Sequence, residues 1–168
     1  MQLLMEKLQA AEGSTVGVNE LNNILSRIVP FNVPHGVMVK EVRKESIMTL
    51  IPFQESNWNH VKGMHACAIA TIGEFSAGIL LIKHFPFTDY RVILSKLALE
   101  FFYQGKCDLM GESILSATKK ADIEKQLQHN DAAIVEMKTE INDIQQHHIA
   151  TATTAWQIKP WSKVRTQV

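Results

Sequence analysis

The chain has 168 residues, 46% hydrophobic and 20% charged, the balance of one ordinary globular domain with room for a sizeable core. Its 17 Lys and Arg are offset by 17 Asp and Glu, which excludes an electrostatic scavenger of polyanions, so neither nucleic acid nor a membrane is expected as a partner. Two cysteines, Cys67 and Cys107, make no disulfide framework and fit a reducing compartment.

The opening stretch MQLLMEKLQAAEGS places Glu6 and Lys7 early and lacks the basic-then-apolar order of a signal peptide, so a cytoplasmic protein is expected. Residues 1–17 read as a loosely attached segment. From Val18 to Phe31, Leu21, Ile24, Leu25 and Ile28 share one face, which predicts an amphipathic helix capped by Asn19 or Thr15 and ended by Pro30 and Pro34. GVMVKEVRKESIMTLIPF reads as two strands with a tight connection, and ESNWNHVKG as a loop ending in Gly63. Met64 to Ile82 is a long apolar run with one central carboxylate, Glu74. It just reaches the length of a membrane span, but that acid, His65 and the absence of flanking basic clusters predict a buried core helix instead. Ala66, Ala70, Gly73 and Ala77 form a stripe of small residues that would let strands approach it.

Beyond that helix, HFPFTDY reads as a loop. RVILSKLALEFFY and KCDLMGESILSA are β-rich and separated by Gly105, which suggests a hairpin. Residues 118–131 form a polar helical insert. AIVEMKTEIND alternates strictly, with Val135, Met137, Thr139 and Ile141 on one side and Glu136, Lys138 and Glu140 on the other, the pattern of a half-exposed strand. HHIATATTAWQIKPW supplies a last strand. A helix apolar on nearly every side must be enclosed, and one antiparallel sheet curled around it does so. The fold class is α+β, as a single domain over 1–168.

This order, together with Asn59, His65-Ala66 and Glu74 in NHVKGMHACAIATIGEFSAGILLI, resembles the hotdog fold. In particular it resembles the PaaI-like acyl-CoA thioesterases, and among them an uncharacterised subgroup carrying Glu and His-Ala. In those thioesterases an Asn is followed six residues later by His-Gly-Gly, and nine residues after the His by Asp or Glu. Asn59, His65 and Glu74 keep those separations. The likeness spans roughly residues 18 to 160, and its specific residues fall within 59 to 78. It implies hydrolysis of an acyl-CoA thioester, with coenzyme A entering only as part of the substrate and no separate cofactor or metal. Glu74 would activate water, the Ala66 backbone amide would bind the oxyanion, and Asn59 would orient. His65 would hold the helix start, with Gly63 and Cys67 at the substrate. Ala66 and Cys67 replace the two glycines of the relatives; an Ala amide donates as well as a Gly amide, but its methyl group narrows the approach.

Hydrolysis needs a carboxylate and an oxyanion donor at one carbonyl. The first turn of a helix has free N–H groups, so the amides of Ala66 and Cys67 are the expected donors. His65 and Glu74 lie about 13 Å apart along a helix, on nearly opposite faces. Both can act on one carbonyl only from different protomers, so a homodimer follows, possibly paired into a dimer of dimers. The other reading is a non-catalytic hotdog protein that binds an acyl or lipid-like ligand or serves as a dimerisation module. A hydratase ranks last, because no Asp stands beside His65.

Other residues carry less. Glu74 could be a structural acid met by Trp58 or Ser76. Cys67 and His65 point apart on a helix and make no nucleophilic pair. His147 and His148 face opposite ways on a strand and make no metal site. Lys119-Lys120, Lys83-His84 and Lys163 with Arg165 are candidate contacts for coenzyme A phosphates. Phe85, Phe87, Phe101, Phe102 and Tyr103 could line an acyl tunnel, or serve as core or dimer contacts.

Overall fold

The computed structural model describes residues 2–165; Met1 and residues 166–168 lie outside them. Two helices come first, α1 (Gln2–Ala10) and α2 (Thr15–Ile28). The segment expected to be loosely attached is instead part of the core. Leu4, Leu8 and Ala11 are buried, and α1 packs on α2. The physical reason is their spacing, which places all three on one helical face. Ser14 caps α2, its Oγ accepting from the Gly17 amide at 3.1 Å, in place of the expected Asn19 or Thr15.

The remaining elements are β1 (Met38–Val42), β2 (Ser46–Ile51), α3 (Ala66–His84), β3 (Tyr90–Phe101), β4 (Leu109–Ile114), α4 (Ala117–His129), β5 (Ala133–Asp143) and β6 (His148–Pro160). The strands form one antiparallel six-stranded sheet in the order β1-β2-β4-β5-β6-β3. β5 alternates as its sequence requires, with Val135, Met137, Thr139 and Ile141 inward. The expected hairpin between β3 and β4 does not form. β3 pairs with β6 from Tyr90–Pro160 to Phe101–Ala150, while β4 sits between β2 and β5. Gly105 is no hairpin turn, because its carbonyl accepts from the Met64 amide at 2.8 Å and carries the chain past the start of α3.

α3 lies against β2, β3, β4, β5 and β6. Among the described residues it is the one helix long and apolar enough to cross a bilayer, and here the sheet covers most of it. Of the small-residue stripe, Gly73 and Ala77 are buried, whereas Ala66 is exposed and Ala70 half-buried. Gly73 marks the closest approach: a Cβ there would stand 2.4 Å from the Cβ of Ala152 on β6. Buried hydroxyls fix the helix in place. Ser76 Oγ lies 2.6 Å from Thr49 Oγ1 and 3.1 Å from the Gly111 carbonyl. Thr139 Oγ1 donates to the Gly73 carbonyl at 2.8 Å and pairs with Ser113 Oγ at 2.6 Å. Each polar atom under the helix is thereby satisfied by its neighbour, as burial demands.

The two sheet edges differ. On β1 the Asn22 side chain bonds both the amide and the carbonyl of Val39, at 2.9 and 2.8 Å, and the Gly13 amide donates to Val42. That edge is closed. β3 has no neighbour on its outer side among the described residues, and Ile93, Leu97 and Phe101 are exposed along it.

Gly73→Ala tests the close approach. In an unpacked helix the change would stabilise by roughly 1 kcal/mol. Here Ala152 Cβ is fixed to backbone and cannot swing aside, so a net loss of about 1–3 kcal/mol is expected in urea unfolding. Ala152→Gly in the same chain should recover part of that loss.

Candidate active site

The loop before α3 is organised by asparagines. Asn59 Oδ1 accepts from the amides of Val61 and Gly63, both at 3.0 Å, and its Nδ2 donates to the Met64 carbonyl at 3.3 Å. Its main chain also bonds Gly63 at 2.8 Å. Asn59 is therefore fully engaged in closing the loop, and Gly63 is buried within it beneath Gln104. Asn57 is buried as well. Its Nδ2 donates to the carbonyls of His35 and Pro52, both at 2.9 Å, and its Oδ1 lies 2.9 Å from His35 Nδ1.

His65 is the N-cap of α3. Its Nδ1 accepts from the Cys67 amide at 3.0 Å. The Cys67 amide, expected to donate to an oxyanion, is thus occupied by the neighbouring imidazole. The Ala66 amide has no partner among the described residues. A cleft of about 270 Å³ opens beside this first turn, lined by Phe31, His35, Ser56, Trp58, His65, Cys67, Ala68 and Thr71. Trp58 Nε1 is buried in its wall without an acceptor among the described residues.

Glu74 lies outside that cleft, two turns further along α3. Cys67, Ala70, Thr71 and Glu74 share the helix face the sheet leaves uncovered. The carboxylate is half-buried and has neither an ion-pair nor a hydrogen-bond partner among the described residues. Ser76 turns toward the sheet, and Trp58 Nε1 is unpaired, so neither satisfies it. Gly78 makes room for it: a Cβ there would stand 2.9 Å from the Trp156 ring and 3.6 Å from Glu74 Oε1. Loss of solvent pushes the Glu74 carboxyl above its ordinary pKa.

The other candidates separate clearly. Lys83 is nearly buried, paired with Glu12 at 2.9 Å and bonded to the carbonyls of Arg43 and Lys44. Lys119 donates to the Glu136 carbonyl, Lys120 pairs with Glu124, and Lys163 with Asp131 at 3.2 Å. Phe85 is core, whereas Phe101, Phe102 and Tyr103 are exposed at the end of β3. His147 bonds Asp143 and His148 bonds Glu140, and no metal-binding cluster occurs among the described residues. His35, Asn57, Phe31 and Thr71 carry no sequence signal as site residues. They come from separate segments that only the fold brings to one cleft.

A six-stranded antiparallel sheet wrapped on one central helix defines the hotdog fold, and solved structures of that fold match closely. A Pseudomonas aeruginosa protein described as a probable thioesterase aligns with a TM-score of 0.76 at 20% identity, over 83% of this chain and 93% of that one. Variants of two thioesterases also align, one from Pseudomonas aeruginosa (TM-score 0.68, 10% identity, 89% and 99% covered) and one from Staphylococcus aureus (0.64, 10%, 79% and 100%). At these identities the likeness is one of fold. The chain belongs to the family described as Domain of unknown function (DUF4442), which matches residues 17–158. Among curated proteins none matches.

The raised Glu74 pKa has a consequence for stability. The folded protein holds this proton more tightly than the unfolded chain, so stability falls as pH rises from the ordinary carboxylate value through the folded one. Glu74→Gln stays neutral throughout. The variant should be more stable than wild type above that window, and the difference should close as pH falls toward the ordinary value. Urea unfolding of both proteins across the pH range measures this, and a gap that does not change with pH would refute the unpaired, desolvated carboxylate.

Proposed function

We propose that the protein hydrolyses an acyl thioester, with coenzyme A as the thiol carrier, at a site shared between two copies of the chain. One observation carries the reading: whereas the hydroxyls of Ser76 and Thr139 beneath α3 are satisfied, the helix presents two groups of opposite character, the Ala66 amide and the Glu74 carboxylate, that have no partner among the described residues. They are eight residues apart, about 12 Å along the helix, too far to act on one carbonyl in one chain. An antiparallel copy of α3 brings the carboxylate of one protomer to the amide of the other. The uncovered face of α3 and the open edge of β3 support such a homodimer, because a long unpaired edge with apolar side chains is otherwise an association hazard.

In this arrangement Glu74 takes a proton from water as the water oxygen attacks the thioester carbon, and the Ala66 amide receives the developing oxyanion. Desolvation makes the carboxylate a stronger base than an exposed one. His65 and Asn59 act through structure, the first by capping α3 and the second by holding the loop that presents its first turn. The thioesterase descriptions of the Pseudomonas and Staphylococcus structures support the same substrate class.

A second reading has its own support. With the Cys67 amide occupied by His65, the exposed donor left without a partner among the described residues is the Ala66 amide, beside the buried Ala68 amide, and the Ala66 methyl narrows the approach to it. A non-catalytic binder of an acyl or lipid-like ligand needs no more than that.

Purified protein should release free thiol from at least one member of a panel of short, aryl and long acyl-CoAs. Glu74→Gln should lower the rate by about a hundredfold or more while the dimer persists. Retention of an acyl ligand in native mass spectrometry with no thiol release would favour the binder. A full rate in Glu74→Gln would reject the carboxylate assignment.

A further inference from the structure

The two histidines that line the cleft have their proton positions set in opposite senses. His65 Nδ1 accepts from the Cys67 amide, so the neutral ring carries its proton on Nε2, and protonating Nδ1 would break the helix cap. His35 is held the other way. The two carbonyls that receive the Asn57 amide nitrogen fix that amide's orientation, which leaves Oδ1 as an acceptor. His35 Nδ1, 2.9 Å from this oxygen, must then be the donor. In the neutral ring the lone pair is therefore on Nε2. That atom has no partner among the described residues and is not one of the buried unpaired atoms. Asn57 is only 1% exposed, so the clamp on His35 belongs to the core.

Hydrolysis by Glu74 and the Ala66 amide leaves one proton to be placed. Water's oxygen bonds to the carbonyl carbon and its proton passes to Glu74. The tetrahedral adduct then collapses, the C–S bond breaks, and its electron pair leaves on sulfur. The carboxylic acid is formed, but the thiolate still lacks a proton. Of the two histidines, only His35 can take up and release one without losing a structural bond.

We propose that His35, clamped by Asn57 in the cleft at the start of α3, relays the proton from Glu74 of the second copy, which an antiparallel α3 brings to that helix start, to the departing sulfur. Nε2 receives the proton that water gave to Glu74 and delivers it to the thiolate, so that acid and thiol are released and both side chains return to their starting states. Asn57 is the positioning residue for this step, acting through His35. The proposal rests on the thioester-hydrolase reading above, and its test is chosen so that the two fail separately.

Two thioesters of the same acyl group serve as probes, one releasing coenzyme A and the other para-nitrothiophenol, whose thiolate departs without a proton. His35→Gln should lose about a hundredfold in kcat on the first and keep the wild-type rate on the second. Glu74→Gln should lose on both. A wild-type rate for His35→Gln on the coenzyme A ester overturns the relay, and so does an equal loss on both esters, the mark of a merely structural residue. Equal activity of Glu74→Gln and wild type on both esters counts against the hydrolase site itself. Absence of turnover by the wild type on any acyl thioester overturns both readings. Independently of turnover, proton–nitrogen correlation spectra of histidine-labelled protein should show His35 as the Nδ1–H form and His65 as the Nε2–H form. His35 in the Nε2–H form overturns the relay.

Discussion

The contact between Gly73 of α3 and Ala152 of β6 sets the distance at which the central helix lies on its sheet, and the rest of the structure depends on that distance. A side chain at residue 73 would lift the helix, because the opposing Cβ stands 2.4 Å from where its own would be. Only at close range can Ser76 meet Thr49 and Gly111, and Thr139 reach the Gly73 carbonyl. Those hydroxyls fix the rotation of the helix as well as its height. The rotation decides which residues face the sheet and which face outward, and Glu74 is among those left outside.

The candidate site gathers several groups that the packing leaves without partners. Under the helix each hydroxyl has a partner, and in the preceding loop Asn57 and Asn59 use every polar atom they have. The Glu74 carboxylate, the Ala66 amide and the Trp58 indole N–H lack partners among the described residues. Unpaired groups of this kind oppose folding, most of all a desolvated carboxylate. The same desolvation that raises the Glu74 pKa makes the carboxylate a stronger base than an exposed one, so the cost to stability and the gain in basicity have one cause.

Several features were legible in the chain because they depend on local periodicity. The helix from Ala66 to His84 follows from an apolar run too long for a strand, and β5 from strict alternation. Glu74 stood out as the one acid within that run. The first segment, expected to be loosely attached, is held by Leu4, Leu8 and Ala11, whose shared face is a short pattern that becomes core only because α2 lies beside it. The apparent β3–β4 hairpin was an error of proximity: Gly105 separates two strands in sequence, but its carbonyl is claimed by Met64, and β3 finds its partner in β6. Likewise, the Cys67 amide, expected to be a free helix-start donor, is taken by the His65 ring.

The sequence by itself determined the class of the fold, the central helix and the placing of a lone carboxylate where apolar residues prevail, since each is encoded in spacing along one segment. Only the tertiary structure decided that His35, Trp58 and Thr71 share a cleft with the first turn of α3, and that Asn57 clamps one of its histidines. Those residues come from stretches that no periodicity connects. Hydrogen bonds between such segments depend on geometry set by the packing of the whole sheet, which the order of residues does not display.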